Sequence, residues 1–157
     1  MDIFFFLAAS LLAYSGVFLG YLLLLISPEE RKPLRKYLII LRNLSLLFAL
    51  AAGAWIFSYY LLISLLIAAG AIILFFTLLR REGFRETTMI GFSLFLGVLF
   101  TLSYDSQPAF IIMFLCVLLY GMATTLLEKG KGIEPLKRSA LPHLCFLAGA
   151  LITYFSY

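Results

Sequence analysis

Of 157 residues, 64% are hydrophobic and only 13% charged, which leaves too little polar surface to cover a water-soluble globule; a soluble domain is about half apolar and a quarter charged. With a mean hydropathy of +1.08, the solvent of this chain is lipid. The formal charge of +4 excludes no partner by its size, but its placement points to anionic headgroups and away from nucleic acid.

The chain opens Met1-Asp2 and then runs apolar from Ile3 to Ile26. That run exceeds the short core of a signal peptide, and its leading charge has the wrong sign. It reads as a retained first span, because about 20 apolar residues cross the ~30 Å hydrocarbon core. Ser27-Pro28-Glu29-Glu30 stops it. Within the span Ala9, Ala13, Gly16 and Gly20 share one helical face, and Gly16-Val-Phe-Leu-Gly20 is a GxxxG unit through which backbones approach closely. Ala49-x-x-x-Gly53 and Ser93-x-x-x-Gly97 offer partners inside the chain; a second copy is the other partner that the stripe would suit.

From Tyr37 to Leu79 the chain is apolar apart from Arg42, Asn43 and a few hydroxyls. As one helix it would be ~60 Å long, twice the core thickness. Two spans are therefore expected, about 37–57 and 60–79, turning near Ser58-Tyr59-Tyr60. At the entry of the first, Leu34, Tyr37, Leu38 and Leu41 make an apolar face, and Arg35, Lys36, Arg42 and Asn43 share the opposite one. An arginine so placed snorkels to the interface or, with Asn43, holds an anion such as a lipid phosphate. In the second, Ala68-Ala-Gly-Ala-Ile-Ile-Leu-Phe-Phe76 resembles a helix core of a membrane subunit of respiratory complex I. Those nine residues carry no functional assignment, and six spans depart from that family's five.

A fourth span is expected at 88–103, with Thr87 or Thr88 as N-cap, then a tight turn over Tyr104-Asp105-Ser106-Gln107-Pro108. Pro108 suits a first helical position, where its missing N–H costs nothing. The fifth span follows at 109–127. Gly130, Gly132 and Pro135 break the next loop, and the sixth span runs 140–157 from Ser139 or Ala140.

Outward-going spans end alike, at Gly53-Ala-Trp-Ile-Phe-Ser-Tyr, Gly97-Val-Leu-Phe-Thr-Leu-Ser-Tyr and Gly149-Ala-Leu-Ile-Thr-Tyr-Phe-Ser-Tyr. These echoes suggest three related hairpins. All twelve bases fall in the loops after spans one, three and five or at their edges, whereas Asp2 and Asp105 are the only charges on the other side. The positive-inside rule then puts the basic loops in the cytoplasm and both termini outside. Tyr59, Tyr60, Tyr104, Tyr154 and Tyr157 lie at the outer ends, where an aromatic belt belongs.

Catalytic constellations are missing. No Asp or Glu lies within a predicted span, and His143, the only histidine, is on the opposite side from both aspartates. There is no HExxH, no glycine-rich phosphate loop and no CxxC, so neither metal nor cofactor is expected. Cys116 and Cys145 differ in depth by about 9 Å, too far for a disulfide. The sequence thus describes an all-α bundle of six transmembrane helices in a single domain. It reads first as a transport, permeation or membrane-complex subunit working with further copies or a partner. The alternative is a lipid-headgroup-binding protein or enzyme at the cytoplasmic leaflet. There Arg35, Lys36, Arg42, Asn43, Arg80, Lys137 and Arg138 would hold phosphate, with His143 as acid or base.

Overall fold

The computed structural model describes residues 2–29, 31–56, 86–128, 130 and 132–156, and every regular element among them is an α-helix. The expected third span, the turn before it and the second basic cluster with Arg80 lie outside those residues, as does the stretch resembling the complex I subunit.

Helix α1 (Ile3–Tyr14) starts at Asp2, whose Oδ1 accepts the Phe4 N–H at 3.0 Å. It is separated from α2 (Gly16–Ile26) by one residue. That residue is Ser15, whose hydroxyl donates to the Leu12 carbonyl at 2.6 Å while its N–H is shared between the Leu11 and Leu12 carbonyls. Back-bonding of this kind loosens a helix without ending it, so the first span is one 24-residue apolar rod with a break at mid-depth. Helix α3 is Arg31–Ile56, α4 Glu86–Leu102, α5 Gln107–Leu127 and α6 Glu134–Ser156. Gly132 at φ +60° closes the turn into α6, a left-handed conformation that glycine adopts without strain. α6 begins six residues before the expected membrane entry, because Pro135 fits a helix's first turn and Glu134 faces its positive end. Pro142 consequently lies inside the helix and gives no N–H to the carbonyl four residues back.

Four of the described helical stretches are long and apolar enough to cross a membrane: Ile3–Ile26, Lys32–Ile56, Gln107–Leu127 and Glu134–Ser156. Met89–Leu102 is apolar but shorter. The outer surface matches this solvent, with Phe4, Leu12, Trp55, Leu141 and Ile152 more than half exposed.

Three helix contacts organise the bundle, and glycine makes two of them. α5 is central, with α2 and α3 against it, while α4 lies along α6. At the first contact a β-carbon on Gly16 would strike the Leu118 carbonyl, and one on Gly20 would sit 2.5 Å from the Met122 carbonyl. Gly121 answers from α5, where an added β-carbon would meet a Val17 methyl at 3.1 Å. At the second, Gly97 abuts the Phe146 carbonyl, and Gly149 faces the Leu94 carbonyl, 2.5 Å from an added β-carbon. Thr101 ties the same pair of helices by donating to the Ala150 carbonyl at 2.9 Å.

One end of the bundle is aromatic. Phe6 stacks on Tyr154 at 4.6 Å between ring centres and meets Phe100 and Tyr104 at 5.8 Å. Phe100 in turn meets Phe110 at 4.8 Å and Phe146 at 5.4 Å. The start of α1, the α4–α5 turn and the end of α6 therefore gather together, with Thr101 and Ser103 buried beside the aromatic rings.

A candidate anion site between three helices

In α3 the polar face is turned into the protein. Leu38, Arg42, Asn43, Ser45, Leu46 and Ala49 are buried, whereas Leu34, Tyr37, Ile40, Leu44 and Phe48 are exposed. The spacing of the buried set is that of one helical stripe. This inversion suits a helix whose outer solvent is lipid. Arg42 is only 3% exposed, so protein covers its side chain, and it does not extend into open solvent as a snorkelling arginine would. Its Nε donates to Asn43 Oδ1 at 3.4 Å. Across the α3–α5 contact it lies within electrostatic range of Tyr120 and of Glu128, the residue that caps α5.

Tyr120 links Arg42 to His143. Its ring centre is 5.2 Å from that of the imidazole. His143 is held from below: its Nδ1 lies 2.8 Å from the Ser139 carbonyl, one helical turn earlier. Ser139 is itself fixed, donating to the Pro135 carbonyl at 2.8 Å and bonding Thr125 Oγ1 of α5 at 2.9 Å. This ties the α5–α6 corner through polar atoms where the loop leaves the bundle. Tyr120 Oη and His143 Nε2 are enclosed and have no hydrogen-bond partner among the described residues. Unpaired polar atoms at full burial are uncommon and costly, on the order of 1–3 kcal/mol each.

The other expected anion ligands are placed differently. Arg35 and Lys36 are exposed near the start of α3, one to two turns before Arg42. Lys137 and Arg138 are exposed on the first turn of α6. Arg138 approaches Glu134 at 4.0 Å, an exposed pair of little energetic weight. Arg42, Asn43 and His143 are thus inside the bundle, and Arg35, Lys36, Lys137 and Arg138 stay on its surface. The small residues Ala9, Ala13, Gly16 and Gly20 are all buried, the two glycines against α5. Gly53 faces the Leu99 methyls of α4, and Gly97 and Gly149 share the α4–α6 crossing.

The chain matches no family model, no curated protein and no solved structure.

The geometry therefore carries the functional reading alone. Sequence reasoning missed Tyr120. Its signal was present: it stands near the middle of an apolar 21-residue helix, away from the ends where belt tyrosines belong. Thr124 and Thr125, one turn further on, extend the same polar strip toward the loop. Among the described residues, no three of His, Cys, Asp and Glu come close enough to hold a metal ion. Both cysteines are free thiols, Cys116 buried and Cys145 half-buried.

Proposed function

We propose that this chain is a six-span integral membrane protein, with both termini outside and its basic loops in the cytoplasm, that binds an anionic lipid headgroup at the level of the inner leaflet. The observation that carries the reading is a covered Arg42 inside an apolar bundle, bonded to Asn43 and within electrostatic range of Tyr120 and Glu128. Five residues separate it from Tyr37, so it lies about 7 Å along the helix from the expected membrane entry. An arginine at the centre of a span costs about 2.5–3.5 kcal/mol on an insertion scale, and one nearer the interface costs less but still favours a partner. Intramembrane charges are retained where they bind something, and an anion is what a guanidinium binds best. Arg35, Lys36, Lys137 and Arg138 form the exposed rim that would concentrate anionic lipid near the site.

The transport or permeation reading draws less support. The hydroxyls that a polar path could use are committed to helix carbonyls: Thr101 to Gly97 and Ala150, Ser103 to Phe100, Thr124 to Tyr120, Thr125 to Gly121. Ser93 on α4 and Tyr120 on α5 are exceptions, buried hydroxyls without a hydrogen-bond partner among the described residues. A headgroup enzyme would need an acid or base at the reacting phosphate, and His143 is the one candidate for it.

The test is native mass spectrometry of the full chain released from detergent with its bound lipid. Arg42→Ala is expected to lower retention of anionic phospholipid at least tenfold, with Arg42→Lys in between. Unchanged retention in Arg42→Ala would contradict the reading.

A further inference from the structure

Resting on the reading that Arg42 holds an anionic headgroup, we propose that Tyr120 and His143 select, among such ligands, a phosphate that also carries a free hydroxyl. His143 Nδ1 sits 2.8 Å from the Ser139 carbonyl. A carbonyl only accepts, so Nδ1 bears the hydrogen, and Nε2 of the neutral ring is left as an acceptor. That acceptor is enclosed and unpartnered. The hydroxyl of Tyr120, whose ring centre is 5.2 Å from the imidazole's, is in the same condition and is free to donate.

Neighbouring hydroxyls are engaged elsewhere. Thr124 bonds the Tyr120 carbonyl at 2.7 Å, Thr125 bonds the Gly121 carbonyl and Ser139 Oγ, and Ser139 bonds the Pro135 carbonyl. The cluster therefore presents a cation from Arg42, one donor from Tyr120 and one acceptor from His143. Its complement is an anionic oxygen for the first two and an O–H for the third.

A plain phosphodiester lacks the hydrogen. A choline headgroup also lacks it and brings a positive charge toward Arg42. A glycerol headgroup supplies hydroxyls on the very group esterified to phosphate, and the hydrogen phosphate ion supplies its own. The shared chemistry is a phosphate with an O–H beside it. The rejecting element is the unpaired Nε2, since a ligand without that hydrogen leaves a buried acceptor unsatisfied.

The test compares two lipids with identical acyl chains, phosphatidylglycerol and phosphatidylmethanol. The second keeps the phosphodiester charge and loses the hydroxyls. Native mass spectrometry of the wild-type full chain is expected to show about a tenfold preference for phosphatidylglycerol, the size of one recovered buried hydrogen bond. His143→Phe should bring that ratio close to one, whereas Tyr120→Phe, which removes a donor to the phosphate oxygen that both lipids share, should lower retention of both and leave the ratio near that of the wild type. Arg42→Ala should lower retention of both lipids together. A ratio near one in the wild type overturns the selection and leaves the Arg42 reading standing. Full retention of both lipids by Arg42→Ala overturns the reading beneath it. Displacement of phosphatidylglycerol by millimolar inorganic phosphate would assign the site to the free ion; resistance to it keeps the lipid. Tyr120→Phe preserves the ring's packing, and the helical circular dichroism and gel-filtration profiles of both variants show whether a change is unfolding. An unchanged ratio in a folded His143→Phe, or undiminished retention of both lipids by a folded Tyr120→Phe, also overturns the proposal.

Discussion

Arg42 was legible in the sequence as an anomaly, an arginine several residues inside an apolar run. What covers it was not, because a single helix does not say which of its faces meets protein and which meets lipid. Arg42 shares its buried stripe with Ser45, Leu46 and Ala49. The mid-span position of Tyr120 was legible but its role was not: an aromatic in a span counts as apolar until a neighbour such as His143 stands beside its ring. The polar corner allows two separate tests. Ser139→Ala removes the bond to Thr125 but keeps the backbone carbonyl that holds His143 Nδ1. It should cost about 1 kcal/mol of stability in thermal unfolding and leave lipid retention unchanged. Loss of lipid retention in that variant would mean that the hydroxyl, and not the carbonyl, positions the ring. Thr101→Val removes the bond from α4 to the Ala150 carbonyl. A cost of about 0.6 kcal/mol, up to ~1.7, is the range for such bonds within membranes.

At the level of helices, length and hydropathy were readable from residue order, and contacts were not. Apolar runs mark spans because each must cross ~30 Å of hydrocarbon. They carry little about partners, since a lipid-facing leucine and a core leucine look alike. The GxxxG unit of α2 was visible, but its partner is Gly121 of α5 and not either of the motifs around Gly53 and Gly97. The Ser15 break was also hidden, since a serine within a span seldom interrupts it. Glycine substitutions should rank by what an added β-carbon meets. Gly97→Ala and Gly16→Ala place it against rigid backbone and should destabilise by about 1–3 kcal/mol. Gly53→Ala meets only Leu99 methyls at 3.0 and 3.1 Å, which a rotamer change relieves, and should cost less. Gly91→Ala has open space around it and should be neutral or stabilising by about 0.5–1 kcal/mol. Unfolding in mixed detergent across the four variants would check the order; a Gly91 variant as unstable as the Gly97 variant would sink it.

Over the whole molecule, charge sidedness remains the strongest statement made by sequence, and it concerns orientation, which packing alone does not encode. The structure adds that the main aromatic cluster and the buried Arg42 lie in different parts of the bundle. Phe6, Phe100, Tyr104 and Tyr154 gather at one end, while Arg42, Tyr120, Ser139 and His143 lie toward the end where α5 and α6 are joined. Orientation is tested by single cysteines in a background lacking Cys116 and Cys145. Asp105→Cys should react with an impermeant maleimide on intact cells, and Lys137→Cys only after permeabilisation. The reverse pattern would turn the protein over and place the Arg42 cluster in the outer leaflet.

The most direct measurement of the lipid-binding claim is a high-resolution structure of the full chain in nanodiscs containing phosphatidylglycerol. The expected result is headgroup density with a phosphate oxygen in hydrogen-bond contact with the Arg42 guanidinium and a hydroxyl at His143 Nε2. Lipid density confined to the outer apolar surface, with Arg42, Tyr120 and His143 satisfied by protein and water alone, would contradict it.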